Sequence, residues 1–295
     1  MTIRRFVDLH THSDASDGSL PAAEVVRLAE RQRLAAIALT DHDTTAAVPA
    51  ARQEARQYPQ LKFVAGIEIS AMFSHGTLHI LGLGIDETHA EFQRVIAELQ
   101  EARRQRNPRM IAKLQAMGLA VGMDDVEAAM DQYQAEKTVG AAAQRIIGRL
   151  HIALALLKKG YVHSRQQAFD RYLGEGRPAY VDKERLRPSD AIAAIRAAGG
   201  IAVLAHPVQL KFQNFAQMER IVRDLVHAGL EGIEAYHSDH SLALTRMCLD
   251  LARRLGLMVS GGSDFHGCGK PHVQLGHPRV PLAVVDERFR QRLGM

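Results

Sequence analysis

The sequence predicts an α/β fold, a (β/α) barrel one unit short of the usual eight, on three observations. Short apolar runs, many of them β-branched, recur along the chain; most are followed by a segment of helical period; and imidazoles and carboxylates gather at or just past the ends of the runs. Alternating strands and helices imply a parallel sheet, doubly wound or closed into a barrel, and about seven strand candidates at this length favour closure. In a parallel barrel the carboxyl ends of all strands open on one face, so residues scattered in sequence converge there.

The strand candidates cover residues 5–9, 35–39, 62–69, 77–83, 201–205, 232–235 and 257–260. After Asp17-Gly18, Ser19 is the expected cap of a first helix, with Pro21 in its first turn and Val25, Val26, Leu28 and Ala29 on its apolar face. Ser189 is the expected cap of a helix over 190–198 that stops at Gly199-Gly200. Between about residues 89 and 173 the alternation breaks and only helical patterns remain. Phe92, Val95, Ile96 and Leu99 share one helix face. Ile146, Ile147, Leu150, Ala153, Leu154 and Leu157 share another; Gly160 ends that helix and Ser164 caps the next. We read residues 1–88 and 181–295 as the barrel and 89–180 as a helical insertion capping its active-site face, small for an independent domain. No internal repeat or low-complexity segment interrupts the pattern.

At 295 residues and 46% hydrophobic content the chain suits one large domain or two small ones. A net charge of +4, from 37 basic and 33 acidic side chains, is too mild for a protein that coats nucleic acid. The two cysteines, Cys248 and Cys268, form no Cys-x-x-Cys pair and read as small buried or half-buried residues. No apolar run approaches the ~20 residues of a membrane span. From Arg4 and Arg5 the chain passes directly into a strand with no secretory leader, so the reducing cytoplasm is the expected compartment.

The strand ends carry the chemistry. His10 and His12 lie two residues apart at the end of the first strand and so point to the same side. Asp17 is on the loop that follows. His42 comes after the second strand, Glu68 near the end of the third, His79 in the fourth and His206 at the end of the fifth; Asp264 and His266 follow the seventh. A single histidine after a strand is more often a hydrogen-bonding loop residue. A His-x-His and an Asp-x-His at two strand ends, with matched residues at four more, instead point to metal binding. Buried ionisable groups in such number need a partner, and divalent cations are the natural one. Imidazole with carboxylate suits manganese, zinc or iron. Asp8 and Asp41 are candidates to orient ligating imidazoles, and Asp43 to cap a helix. His89, His163, His227 and His272 lack matching partners and read as surface residues.

Taken together, His10-x-His12, Thr40-Asp41-His42-Asp43, Gly66-x-Glu68, Ala205-His206-Pro207 and Ser263-Asp264-x-His266 resemble the PHP (polymerase and histidinol phosphatase) family, a branch related to the amidohydrolases. The likeness runs over nearly the whole chain outside the insertion. Within the family, Gly174-Glu175-Gly176-Arg177-Pro178-Ala179-Tyr180-Val181 and the stretch from His151 to Val162 are similar to stand-alone phosphoesterases acting on nucleoside 3′,5′-bisphosphates and short RNA 5′ ends. The resemblance implies a distorted (β/α)7 barrel with up to three metals. His10, His12, Glu68 and Asp264 would hold the first; Glu68 would bridge to a second completed by His79 and His206; Asp17, His42 and His266 would hold the third. Some members have histidine where this chain has Asp17.

The expected reaction is direct attack of cation-activated water on a phosphate ester, since no serine or cysteine nucleophile motif is apparent. After the sixth strand, His237 reads as a general acid or phosphate contact, or else a loop histidine, and Glu234 as a support for the strand end or a substrate contact. Arg177, in a turn rich in glycine and stiffened by proline, is the candidate anchor for a second phosphate. Arg145, Arg149, His151 and Lys183 are weaker candidates nearby, and Ser70 a further possible phosphate donor. Arg103, Arg104, Arg106, Arg109 and Lys113 read as a solvated helix face that could attract RNA ends. The leading expectation is a manganese-dependent phosphatase removing the 3′-phosphate of nucleoside 3′,5′-bisphosphates and also trimming short 5′-phosphorylated RNA. Histidinol-phosphate phosphatase, a processing module of a polymerase, and an inactive metal-binding scaffold are the alternatives. The first would need an acidic pocket, the second has no polymerase segment here, and the complete ligand set speaks against the third. A nucleotide substrate is implied, and no membrane or protein partner.

Overall fold

The computed structural model describes residues 5–74, 76–135, 147–182 and 186–295. Its strands are β1 (Phe6–Asp8), β2 (Ala36–Leu39), β3 (Lys62–Ala71), β4 (Leu78–Leu83), β5 (Ile201–Leu204), β6 (Gly232–His237), β7 (Met258–Gly262) and β8 (Val280–Pro281). The helices are α1 (Ala22–Arg31), α2 (Val48–Ala55), α3 (Ala90–Ala116), α4 (Met123–Ala135), α5 (Arg149–Lys158), α6 (Arg165–Ala168), α7 (Pro188–Ala197), α8 (Phe215–His227), α9 (Leu242–Leu255) and α10 (Glu287–Leu293). All seven expected strands are present, in one sheet of eight strands ordered β7-β6-β5-β4-β3-β2-β1-β8.

The sheet is not parallel throughout. β1, β2 and β3 run parallel, as do β5, β6 and β7, but β4 is antiparallel to both β3 and β5. Among the described residues no helix separates β3 from β4. A parallel return needs a crossover of a dozen or more residues, so the short link makes a hairpin. β8, too short to show alternation in sequence, pairs antiparallel with β1 through Val7 and Val280. The barrel nearly closes where β1 and β7 run out. The Leu9 N–H donates to the Gly261 carbonyl (3.1 Å) and the Asp264 N–H to the His10 carbonyl (2.9 Å). That approach depends on Gly262: a Cβ there would lie 2.5 Å from both the backbone nitrogen and the Cβ of His10.

Side chains on β2 divide by parity. Ala36 and Ala38 face the barrel interior with Val7, Leu9, Leu81 and Val203, while Ile37 and Leu39 pack outward against Val25, Val26 and Ala29 of α1 and Ala51 of α2. Phe289 and Leu293 of α10 join the interior cluster.

Two expected caps fall elsewhere. α1 starts after Pro21 with no side-chain cap, and the Ser19 hydroxyl instead accepts from the Cys268 N–H (2.9 Å), tying the loop after β1 to the loop after β7. α7 begins at Pro188, because proline suits the first helical position, and so Ser189 lies inside its first turn. Ser164 does cap α6, accepting from the Gln167 N–H (3.1 Å). Both cysteines are free, and burial pushes the Cys248 thiol up to about 12. Among the described residues no helix is long and apolar enough to cross a membrane.

The chain divides into two compact units, Met1–Ile96 with Arg185–Met295, and Ala97–Glu184. The second unit is helical, with Met110, Leu114, Val126, Ile152, Leu156, Val162 and Leu173 at its centre. Its helix α5 begins at Arg149; Ile146, Arg145 and Lys183 lie outside the described residues, as does Arg4 in the first unit.

Gly262→Ala is expected to force β1 and β7 apart and to cost about 1–3 kcal/mol of stability, as overpacking does. Urea denaturation of the variant beside the wild type measures the loss, and equal midpoints would contradict this account of closure.

Candidate metal centre

β4 runs backwards, so His79 near its start meets the strand ends that carry the other candidates. Ser70 of β3 pairs with His79 and Glu68 with Leu81. His10 and His12 leave β1, His42 follows β2 and bridges to Glu68, His206 follows β5, and Asp264 and His266 follow β7. Two of these residues, His206 (φ +23°) and Asp264 (φ +57°), have left-handed backbone, as does Asp43 (φ +53°) next to His42. Strain of this kind costs about 1–3 kcal/mol per residue and persists where the surroundings impose it.

The candidate donors gather into three overlapping groups around Glu68. In the first, His10 Nε2 lies 3.3 Å from Glu68 Oε2 and 3.4 Å from Asp264 Oδ1, and His12 Nε2 is 3.2 Å from each of the same oxygens. In the second, Glu68 Oε1 lies 2.7 Å from His79 Nδ1 and 2.8 Å from His206 Nε2, with those nitrogens 3.2 Å apart. In the third, Asp17 lies 3.1 Å from His266 Nε2 and 3.7 Å from both His42 Nε2 and His12 Nδ1. His42 also reaches Glu68, its Nδ1 being 3.1 Å from Oε2. His12 and His42 therefore each face two groups.

This arrangement suits cations. Glu68, His10 and His12 are fully buried. Buried Glu68 Oε2, His10 Nε2, both His12 nitrogens and His42 Nδ1 make no hydrogen bond. An unmet buried polar group costs about 1–3 kcal/mol, and one cation would satisfy several of these at once. Burial opposes ionisation of Glu68, but the His42, His79 and His10 imidazoles hold its carboxyl well below the usual range. Asp17 is likewise held low against burial by His266 and His42, and Asp264 by Lys270 and His10. Burial disfavours the His10 imidazolium, yet Glu234, Glu68 and Asp264 raise its pKa well above the ordinary value. Burial likewise opposes the charged form of His12, but Asp264 and Glu68 push it up to about 9. Burial takes His42 down to about 3 and His206 to about 4. The carboxylates thus stay charged, and a divalent cation would take the place of protons on the imidazoles.

Around the donors lies a layer of supporting bonds. Both oxygens of buried Glu234 face His10 Nδ1, at 3.1 and 3.2 Å, and one of them also accepts from the His206 N–H at 2.7 Å. Glu234 thus supports a strand end, one of the two roles weighed for it. With its oxygens so used, the grouping of His10, Glu234 and His237 reads as support rather than as a further cage. Asp8 and Asp41 do not meet imidazole rings. Asp8 accepts from the Ser263 N–H (2.8 Å), the Ser263 hydroxyl (2.6 Å) and the Gly276 N–H (2.7 Å). Asp41 accepts from the Ser13 N–H (2.8 Å) and from the Ser13 and Ser16 hydroxyls, both at 2.6 Å. Each carboxylate therefore pins a loop that carries donors. Asp43 caps no helix; its Oδ1 accepts from the Ser70 N–H (3.1 Å).

His237 lies beside the first group. Its Nδ1 accepts from the Asp239 N–H (3.0 Å), so in the neutral ring Nε2 carries the proton, and Nε2 lies 3.5 Å from Asp264 Oδ2. Lys270, which no sequence motif marks, pairs with the same Oδ2. His163, His227 and His272 are exposed, while the His89 ring accepts from the Phe92 N–H (3.3 Å) at the start of α3.

The remaining candidates belong to the second unit. Arg177 is exposed, in a turn closed by its own N–H on the Gly174 carbonyl (3.0 Å). Arg149 lies over the rings of Phe169 (5.8 Å) and Tyr180 (5.6 Å) and donates to the Leu173 carbonyl (3.4 Å). His151 is buried, its Nδ1 accepting from the Gly148 N–H (2.9 Å). The expected basic face of α3 is not wholly solvated: Arg106 is buried and donates to Asn107 Oδ1 (2.7 Å). Lys113 donates to the Tyr180 carbonyl (2.7 Å).

Comparison with known proteins agrees with the fold. Residues 8–232 match the model of the PHP domain, and the chain belongs to that family. It is 35% identical to a 3′,5′-nucleoside bisphosphate phosphatase of Chromobacterium violaceum, over 92% of this chain and 90% of the relative. It is 34% identical to a 5′-3′ exoribonuclease of Haemophilus influenzae, covering 89% and 90%. It is also 35% identical to a phosphoribosyl 1,2-cyclic phosphate 1,2-diphosphodiesterase of Eggerthella lenta, covering 93% and 98%. Among solved structures, an amidohydrolase of Chromobacterium violaceum described with bound sulfate and no metal superposes with a TM-score of 0.83. The two are 33% identical, and the match covers 98% of this chain and 96% of the other. Family and site define a metal-dependent phosphoesterase.

Glu234→Ala should release His10 and the His206 loop together, lowering divalent-cation affinity about 10–100-fold. Manganese retention after dialysis against a competing chelator reads this out, with circular dichroism as the check on folding. Wild-type retention would rule out the supporting role.

Proposed function

We propose that this phosphoesterase removes the 3′-phosphate of nucleoside 3′,5′-bisphosphates, leaving the 5′-monophosphate, and also trims short 5′-phosphorylated RNA from its 5′ end. The observation that carries the reading is the convergence of five imidazoles on the two oxygens of Glu68, with the nitrogens of His10, His12 and His42 that face Oε2 buried and without a hydrogen bond. In this reading His10, His12, Glu68 and Asp264 hold one divalent cation; Glu68, His79 and His206 a second; and Asp17, His42 and His266 a third, with manganese preferred. Such cations supply Lewis acidity and bring the pKa of water toward neutrality.

The chain's own groups do the rest. Asp17, Glu68 and Asp264 return about −3 against about +6 from three divalent cations, leaving an excess that attracts a phosphate dianion. His237 carries its neutral-ring proton on Nε2, beside Asp264, and is our candidate to donate to the leaving oxygen or to a phosphate oxygen. Ser70, whose backbone is held by Asp43, is a further candidate phosphate donor. Arg177 and Arg149 are the candidate anchors for the second phosphate, Arg177 because its exposed guanidinium suits bidentate binding of an oxyanion. The relatives named as a bisphosphate phosphatase and an exoribonuclease support the substrate class, in which a 5′-phosphate is held while a neighbouring phosphoester is cut.

Manganese-loaded protein offered adenosine 3′,5′-bisphosphate, adenosine 3′-monophosphate, histidinol phosphate, a ribose 1,2-cyclic phosphate and a short 5′-phosphorylated RNA tests the reading. Preference for the bisphosphate over the 3′-monophosphate supports it, and preference for histidinol phosphate or the cyclic ester refutes it. In the same assay Arg177→Ala is expected to lower kcat/KM on the bisphosphate about 10–100-fold, through a lost charge-assisted contact, and to spare the 3′-monophosphate. Equal losses on both would remove Arg177 from recognition. Asp264→Asn is expected to abolish turnover, and residual activity above about one per cent would take Asp264 off the ligand list.

A further inference from the structure

The loop after β7 brings a fixed cation to the first donor group. The Lys270 N–H donates to the Gly267 carbonyl (3.2 Å) and the Gly269 N–H to the His266 carbonyl (3.2 Å), turning the loop back toward Asp264. There the Lys270 ammonium pairs with Asp264 Oδ2, whereas Oδ1 is the oxygen that faces His10 and His12 at 3.4 and 3.2 Å. His237 Nε2 approaches the same Oδ2, at 3.5 Å. The Lys270 side chain is 30% exposed against 3% for Asp264, so the ammonium stands at the boundary between the donors and solvent. An ammonium has three N–H donors, and Asp264 is the hydrogen-bond partner of the Lys270 ammonium among the described residues.

A lysine in this position is poorly explained as support alone. Its charge repels any divalent cation at the first group, and that repulsion is strong over a few ångströms of partly desolvated space. The repulsion is offset when an anion joins the site. A phosphoryl group in transfer spreads negative charge over three equatorial oxygens, which calls for several donors around it. Lys270 and His237, both on the outer oxygen of Asp264, form such a pair along one edge.

We propose that Lys270 is a substrate-contacting residue whose ammonium receives a non-bridging oxygen of the phosphate ester beside the ligand carboxylate Asp264. This rests on the phosphoesterase reading and adds to it a preference for doubly charged phosphate ends. One extra positive charge favours a monoester dianion over a diester monoanion.

Calorimetric titration of inorganic phosphate into the manganese-loaded wild type, Lys270→Met and Lys270→Arg tests the proposal, with bound manganese counted by atomic absorption. Lys270→Met should keep the wild-type manganese content and bind phosphate about thirty-fold more weakly, the size of one charge-assisted bond, while Lys270→Arg recovers part of the affinity. Unchanged phosphate affinity in Lys270→Met would overturn the proposal. So would a loss of manganese that parallels the loss of phosphate, since Lys270 would then merely hold Asp264. A wild type that binds phosphate in a Lys270-dependent way but cleaves no phosphate ester leaves the contact standing and refutes the proposed function. A wild type that cleaves the bisphosphate with phosphate affinity indifferent to Lys270 refutes the contact alone.

Discussion

Everything at the mouth of this barrel depends on one carboxylate with no access to water. Glu68 is fully buried and yet held in its charged form, with imidazoles at both oxygens. Oε1 faces His79 and His206; Oε2 faces His10, His12 and His42. A lone buried carboxylate would simply take up a proton. Surrounded in this way it is shared by two groups of candidate donors, and all five histidines are positioned with respect to it.

The distortion of the barrel serves that carboxylate. In a wholly parallel sheet the strand after β3 would bring its far end, not its beginning, to the functional face. Reversal of β4 instead sets His79 beside Ser70 and lets it reach Glu68 from the neighbouring strand. The strained backbone at His206 and Asp264 belongs to the same economy. Both residues must turn inward immediately as their strands end, and both are clamped by others: His206 by Glu234, and the turn at Asp264 by Asp8 through Ser263.

A layer of acidic groups makes the site one unit. Glu234 joins His10 of the first group to the His206 loop of the second. Asp41 holds the loop between His12 and Asp17, and Asp8 holds the segment before Asp264. Burial raises the pKa of Asp8 and Asp41, against bonds from Ser263 to the one and the His12 charge near the other. Each donor loop is thus held by a buried carboxylate whose oxygens are met by several hydrogen bonds, which is how a centre assembled from loops can be rigid.

The strands and the donors were legible in the sequence because both follow local rules. A β-branched run reads as a strand wherever it lies, and His10-x-His12 or Asp264-x-His266 at the end of such a run declares its chemistry without knowledge of its neighbours. The direction of β4, the pairing of β8, the duties of Ser19, Asp8 and Asp41, the burial of Arg106 and the approach of Lys270 to Asp264 were not legible. Each is decided by what another part of the chain brings alongside. Ser19 has the composition of a cap but meets the Cys268 N–H, and Asp41 could as well orient a ring as bind Ser13 and Ser16. Residue type and spacing along the chain determined which groups could hold a cation. Only tertiary structure decided which atoms face one another, since that depends on contacts between residues hundreds of positions apart, such as His10 with Glu234 and Asp8 with Ser263.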